Sequence, residues 1–136
     1  MADLMSKTAL VTGGGTGIGF GIAAKLMEAN AQVTIAGRRE DVLEEAAERL
    51  EASISSSCNI KIVCCDVTDV MAVKNAVEFA ANDNGALDIA VANAGIGAGG
   101  PFLSMTDETL RSVLEVNVIG AFNTIQAAAE TMRSSG

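Results

Sequence analysis

The chain has 136 residues, with 9 lysines and arginines against 17 aspartates and glutamates, and no histidine, tyrosine or tryptophan. Without histidine, these residues hold no Ser-His-Asp triad, no Cys-His pair and no histidine-containing zinc site, and without tyrosine they hold no phenolic acid. The formal charge of −8 argues against a nucleic-acid-binding protein, because duplex binding depends on a stripe of cationic side chains.

Length and composition predict one folded domain over residues 1–136, since 49% of the residues are hydrophobic. No apolar run of about 18 residues occurs, and the N-terminal segment lacks the basic start and apolar core of a signal peptide. We therefore expect a cytoplasmic protein that binds neither membrane nor nucleic acid. The cysteines Cys58, Cys64 and Cys65 are odd in number, so we interpret them as buried reduced thiols and predict no metal site.

Short apolar, β-branched runs alternate with longer segments of helical period from the start of the chain. The predicted strands are residues 8–11, 32–36, 60–65 and 87–92. The predicted helices are residues 18–29, 41–54, 70–81 and 107 to about 133. This βαβ alternation favours an α/β fold with a doubly wound parallel sheet, whose crossovers are right-handed and whose ligand lies at the carboxyl ends of the strands.

Each predicted helix carries an apolar stripe that predicts the side facing the sheet. The stripes of the second and third helices contain Leu43, Ala46, Ala47 and Leu50, and Val70, Val73, Ala76, Val77 and Ala80. The stripe of the first helix contains Ile18, Ile22, Leu26 and Ala29. The stripe of the last helix contains Leu110, Leu114, Val118, Phe122 and Ile125, and it suits either core packing or self-association.

Five glycines occupy the eight positions from Thr12 to Gly19, between the first strand and the first helix. Glycine lets the backbone turn sharply and approach a ligand, while the helix that follows offers free amide groups and a positive dipole end. These properties predict a phosphate group as the ligand. The spacing fits neither G-x-G-x-x-G nor a Walker A loop, and an ordinary tight turn is the alternative.

Thr12, Gly13, Gly17 and Gly19 follow the pattern Thr-Gly-x-x-x-Gly-x-Gly, which resembles the cofactor loop of the short-chain dehydrogenase/reductase family. Further resemblances follow in the expected order: Asp66-Val67 after strand 3, Asn93-Ala94-Gly95 after strand 4, and Asn117 in the long helix. The resemblance implies a Rossmann-type fold, in agreement with the doubly wound parallel sheet of strand order 3-2-1-4 that right-handed crossovers with helices on both faces predict. It also implies that this chain is the N-terminal, cofactor-binding part, truncated before strand 5.

By this resemblance, Asp66 would receive the adenine amino group, Val67 would contact the base through its backbone, and residues 93–95 would border the ribose. Asn117 would be the catalytic-site asparagine that supports a proton-relay water. Alternatively, Asp66 caps the next helix or lies in a solvated turn, and Asn117 is a helix-interior polar residue that bonds the backbone. Asn93 could bond backbone groups between strands, and for this residue both roles can hold together. The candidate cofactor-binding residues are Thr12, Gly13, Gly15, Thr16, Gly17, Ile18, Gly19, Arg38, Arg39, Asp66, Val67, Asn93, Ala94 and Gly95.

The end of strand 2 indicates which cofactor is preferred. An NAD site places a carboxylate there to hold the ribose 2′-hydroxyl, whereas this chain has Arg38 and Arg39. Two guanidinium groups can bond an additional 2′-phosphate, so the sequence favours NADP over NAD. A solvated basic pair opposite Glu40 and Asp41 is the alternative.

The family's catalytic Ser and Tyr-x-x-x-Lys are not found in this chain. The sequence therefore predicts the cofactor-binding half of an NADP-dependent oxidoreductase, which transfers hydride between NADP(H) and a carbonyl or secondary alcohol and forms homo-oligomers. The 136 residues alone would be inactive. A non-catalytic NADP-binding or regulatory module is the alternative, and a methyltransferase is disfavoured because it usually needs a carboxylate where Arg38 and Arg39 stand.

Overall fold

A computed structural model describes residues 3–54, 59–81 and 85–135. Within them, parallel strands form a four-stranded sheet in the order β3-β2-β1-β4. The strands are β1 (Thr8–Thr12), β2 (Gln32–Gly37), β3 (Ile60–Cys64) and β4 (Ile89–Val91). The predicted fold class and strand order are confirmed.

Helices cover both faces of this sheet. The helices are α1 (Gly17–Glu28), α2 (Glu40–Ser53), α3 (Val70–Ala80), α4 (Asp107–Leu114) and α5 (Ala121–Ser135). One core cluster joins α1 and α2 to the sheet through Val11, Ile35 and Leu43, and the other joins α3 and α5 to it around Leu10 and Val77. None of the described helices is long and apolar enough to cross a membrane.

The last helical segment differs from the single helix predicted by the sequence. A π-helical turn, Glu115–Gly120, separates α4 from α5, and a short 3₁₀ turn, Phe102–Ser104, precedes α4. β4 is also shorter than predicted, because regular pairing with β1 covers only Ile89–Val91. The π turn contains Asn117, so this predicted functional residue lies in a π-helical turn and not in a regular α-helix.

The predicted apolar stripes of α2 and α3 mark their buried faces, whereas those of α1 and of the last helical segment do so only in part or not at all. On α1 the fully buried positions are Gly19, Ala23 and Met27, whereas Ile18 is 78% exposed. Small residues such as Ala23 let the helix backbone approach the sheet closely, and Met27 packs in the same core cluster. In the last helical segment the buried residues are Gly120, Asn123, Thr124, Ala127 and Ala128, whereas the predicted stripe is largely exposed.

The cysteines also separate by environment. Cys65 is buried and has a free thiol, in agreement with the prediction. Cys64 is free but exposed, so its predicted burial is wrong: neighbouring strand residues point to opposite faces, and β3 is an outer strand of the described sheet. Cys58 lies outside the described residues.

Candidate functional site

The turn between β1 and α1 is packed so tightly that a side chain at Gly13 or at Gly19 would clash with backbone atoms. Gly13 has a φ of +66°, and a Cβ there would lie 2.9 Å from Ala94 Cα and from Asn93 Nδ2. A Cβ on Gly19 would overlap the carbonyl oxygen of Gly13 and lie 2.5 Å from Asn93 Nδ2. The glycines therefore let the loop, the start of α1 and the end of β4 meet at one point.

The N-terminus of α1 opens this site to an anion. Thr16 precedes the helix without capping its amide groups through the side chain, and the first turn carries no acidic residue. Unpaired amides at a helix start and the positive end of its dipole attract phosphate. The loop and the helix start together can bind a pyrophosphate.

Thr12 and Asn93 connect the carboxyl ends of β1 and β4. Asn93 Nδ2 donates to the carbonyl oxygens of Thr12 and Gly13 at 3.0 and 3.3 Å. The hydroxyl of Thr12 accepts from the amides of Asn93 and Ala94, both at 3.1 Å. Asn93 therefore does bond backbone groups between strands, the second of the two roles expected from the sequence.

Asp66 forms a tight turn after β3. Its Oδ1 accepts from the amide of Thr68 at 2.9 Å and from the Thr68 hydroxyl at 2.8 Å. These two bonds, helped by the positive charge of Arg38, lower the pKa of Asp66, so the carboxylate is ionised at neutral pH. Asp66 does not cap α3, because Asp69 accepts the amides at the start of that helix, and Asp66 instead lies in an exposed turn, the other alternative expected from the sequence.

A cleft of about 220 Å³ joins the glycine turn to the ends of β2 and β3. Exposed Arg38 and Arg39 line it opposite the loop residues, and Asp66 and Val67 form another wall. The predicted site residues that line the cleft are Gly13, Gly15, Thr16, Arg38, Arg39, Asp66, Val67, Ala94 and Gly95. Among the other predicted site residues, Thr12, Gly17, Gly19 and Asn93 shape the adjoining turn, and Ile18 projects from the first turn of α1, outside the lining.

Sequence reasoning did not identify part of this cleft. The additional lining residues are Ala36, Gly37, Val42, Leu43, Cys65, Ile96 and Val116. Several are apolar residues that a sequence pattern assigns to the core rather than to a ligand. Burial, followed by the charges of Asp66 and Asp69, raises the pKa of Cys65 to about 11, so its thiol stays protonated at neutral pH.

Asn117 lies in the π turn, and its side chain bonds the segment after β4. Its Oδ1 accepts from the amide of Ile96 at 2.8 Å, and its Nδ2 donates to the carbonyl oxygen of Ile96 at 2.9 Å. A Cβ on Gly95 would lie 3.2 Å from Asn117 Oδ1. Asn117 therefore holds one wall of the cleft but does not itself line it.

Known proteins resemble this chain in both sequence and fold. The chain is 36% identical to the 3alpha-hydroxysteroid dehydrogenase of Mediterraneibacter gnavus, covering 98% of this chain and 53% of that protein. It is 37% identical to the L-2,3-butanediol dehydrogenase of Corynebacterium glutamicum, covering 97% of this chain and 51% of that protein. The crystal structure of a short-chain type dehydrogenase/reductase from Mycobacterium marinum matches with a TM-score of 0.88 and 37% identity, over 97% of this chain and 52% of that one.

The chain thus spans about half the length of the relatives it matches. A family model described as short chain dehydrogenase matches residues 7–136, almost the whole sequence. Because this match includes the glycine turn and the ends of β3 and β4, the chain belongs to the short-chain dehydrogenase family.

Proposed function

We propose that this chain is the cofactor-binding half of an NADP-dependent oxidoreductase acting on a carbonyl or a secondary alcohol. Residues 1–136 then form one dinucleotide-binding domain that lacks the catalytic serine, tyrosine and lysine of the family. The protein acts on a small molecule, in the cytoplasm, as a homo-oligomer. The exposed apolar side chains of α4 and α5 support self-association.

The observation that carries the choice of NADP is the pair of arginines in the cleft. Arg38 and Arg39 stand where β2 ends, on the same cleft as Gly15 and Thr16. Charge-assisted hydrogen bonds from guanidinium groups suit a phosphate dianion, whereas an NAD site uses a carboxylate at this point. Asp66, the acidic residue of the cleft, follows β3 instead and is already bonded through one oxygen to Thr68.

The roles of the other residues are those that the family resemblance implies. The amides of the glycine turn and of α1 hold the pyrophosphate, with Gly17 and Ile18 contributing through their backbone. Asp66 accepts the adenine amino group while Val67 contacts the base, and residues 93–95 border the ribose. Asn117 holds the backbone of Ile96 in place, beside the end of the cleft where the hydride would be transferred. NADP, when bound, supplies or accepts the hydride.

The test compares the affinities of NADPH and NADH for the full chain and for the double variant Arg38→Asp, Arg39→Ala. Each lost charge-assisted bond should cost about 1.5 to 3 kcal/mol, so the preference for NADPH should fall by tenfold or more. Arg133→Ala removes an exposed arginine of α5 and serves as the matched control. Equal affinities before mutation would contradict the assignment of NADP.

A further inference from the structure

A buried amide on α5 is bonded to the turn that follows β3. Asn123 is 8% exposed, and its Nδ2 donates to the carbonyl oxygen of Val67 at 2.9 Å. The two residues are far apart in the sequence, and β3 has already ended at Cys64 when the chain reaches Val67. The bond therefore fixes a backbone group that lies beyond the hydrogen-bonded ladder of the sheet.

The end of the π segment, at Gly120, packs against the same turn. A Cβ on Gly120 would overlap Cγ2 of Val67, so the helix backbone lies directly against this valine. Val67 is 7% exposed and lines the cleft next to Asp66. The position of the Asp66-Val67 turn is thus set by contacts from the helical segment as well as by the Thr68 bonds.

We infer that Asn123 is a positioning residue for nucleotide binding, which fixes the Asp66-Val67 turn through the Val67 carbonyl. The inference rests on the proposed function, in which this turn receives the adenine. Asn117 holds Ile96 from the π turn, and Asn123 holds Val67 from the first turn of α5. One helical segment therefore sets two walls of the cleft, one after β4 and one after β3.

The first test replaces Asn123 and measures binding of adenosine 2′,5′-bisphosphate to the full chain. Asn123→Leu removes the donor and leaves the Val67 carbonyl without this partner, so binding should weaken about tenfold. Thr124→Val is the matched control. Thr124 is also buried on α5, but its hydroxyl donates to Gly120 within the helical segment and not to the turn. This control should lose stability yet keep its affinity.

A second variant tests the hydrogen bond itself and covers the case in which Asn123→Leu does not fold. Asn123→Asp has nearly the same size, but its carboxylate cannot donate, whereas its protonated form can. Burial raises the pKa of such a carboxyl group. The affinity of Asn123→Asp relative to the unmodified chain should therefore recover as the pH falls from 8 to about 5.

Three results would overturn the inference: full affinity in a folded Asn123→Leu chain, an equal loss in Thr124→Val, or a pH-independent ratio for Asn123→Asp. Hydrogen exchange at the Val67 and Thr68 amides, measured without nucleotide, distinguishes failure of this inference from failure of the proposed function. Faster exchange of these two amides is expected in Asn123→Leu and not in the Thr124→Val control. If it occurs while the unmodified chain binds no probe, the proposed NADP site is wrong and Asn123 only shapes the turn.

Discussion

Gly19 and Gly21 of α1 differ in whether the surrounding structure leaves room for a side chain. A Cβ on Gly19 would overlap the Gly13 carbonyl, whereas a Cβ on Gly21 would meet nothing within 4 Å. Gly19 is buried beneath the turn and Gly21 is exposed. The requirement for glycine therefore comes from the close approach of the turn and not from the helix itself.

Gly19→Ala should remove most NADPH binding, because the methyl group must displace the Gly13 carbonyl and the Asn93 amide that shape the turn. Gly21→Ala should leave the affinity unchanged and stabilise the fold by about 0.5 to 1 kcal/mol, the usual gain for alanine in an exposed helix. Fluorescence titration with NADPH and urea unfolding measure the two effects. A Gly19→Ala chain that folds and binds normally would mean that the phosphate lies elsewhere.

At the scale of the elements, Asp88 joins the beginnings of β1 and β4. Its Oδ1 accepts from Lys7 Nζ at 2.8 Å, and its Oδ2 accepts from the Thr8 amide at 2.9 Å. The Lys7 bond and then the Thr8 bond lower the pKa of Asp88. Thr12 and Asn93 make the corresponding connection at the opposite ends of the same two strands.

The lowered pKa predicts an acid-sensitive contribution to stability. Because the folded pKa lies below the unfolded one, the contribution is present above about pH 4 and is lost as the pH falls through the folded pKa. Asp88→Asn should lower the free energy of unfolding by about 1 kcal/mol at pH 7, a modest value since the ion pair is partly solvated.

Urea unfolding of Asp88→Asn and the unmodified chain at pH 7 and pH 3 provides the measurement. The difference between them should shrink at the lower pH, because the contribution of Asp88 declines as the pH falls toward its lowered folded pKa. Glu130→Gln, an exposed change on α5, controls for the loss of one negative charge. A difference that stays constant with pH would contradict the role given to the Asp88 carboxylate.

The sequence predicted the elements and the buried faces of α2 and α3, but not the buried face of the last helical segment. Alternation of apolar runs located the strands, and the crossover rule gave their order. Periodicity failed where small residues face the sheet, as with Ala127 and Ala128 in α5, because alanine adds little to an apolar stripe. The π turn at Asn117 and the bond from Asn123 to Val67 depend on tertiary packing, for which the sequence carries no local signal.

At the scale of the molecule, apolar surface is concentrated along α4 and α5. Leu110, Leu114, Phe122 and Ile125 are each 46–60% exposed. Among the described strands, β4 pairs only with β1, so its other edge adds unpaired backbone groups nearby. Exposed apolar side chains of this kind favour association.

The 136-residue chain expressed alone should therefore self-associate. Phe122→Glu should reduce the association by placing a charge within the exposed stripe, whereas Gln126→Glu adds the same charge at an exposed polar position of α5 and should have less effect. Light scattering at several concentrations measures the molecular mass. A chain that is monomeric throughout would contradict the proposal that this face is an interface.

The same chain should not reduce ketones, even where it binds NADPH. Reduction needs a proton for the developing alkoxide, and these 136 residues contain no tyrosine or histidine to donate it at neutral pH. NADPH oxidation with a panel of ketones should stay at background. Turnover by the isolated chain would contradict the proposal that this chain is only the cofactor-binding half of an oxidoreductase.

The link between Thr12 and Asn93 also bears on the order in which the chain folds. β1 pairs with β2 across one helix, so that unit can form soon after its residues leave the ribosome. The Thr12 hydroxyl must wait for a partner 81 positions later, and closing so large a loop slows the step. Because Asn93 also shapes the glycine turn, we expect the cleft to bind nucleotide only after β4 has paired with β1. Nucleotide binding would then report the completion of folding.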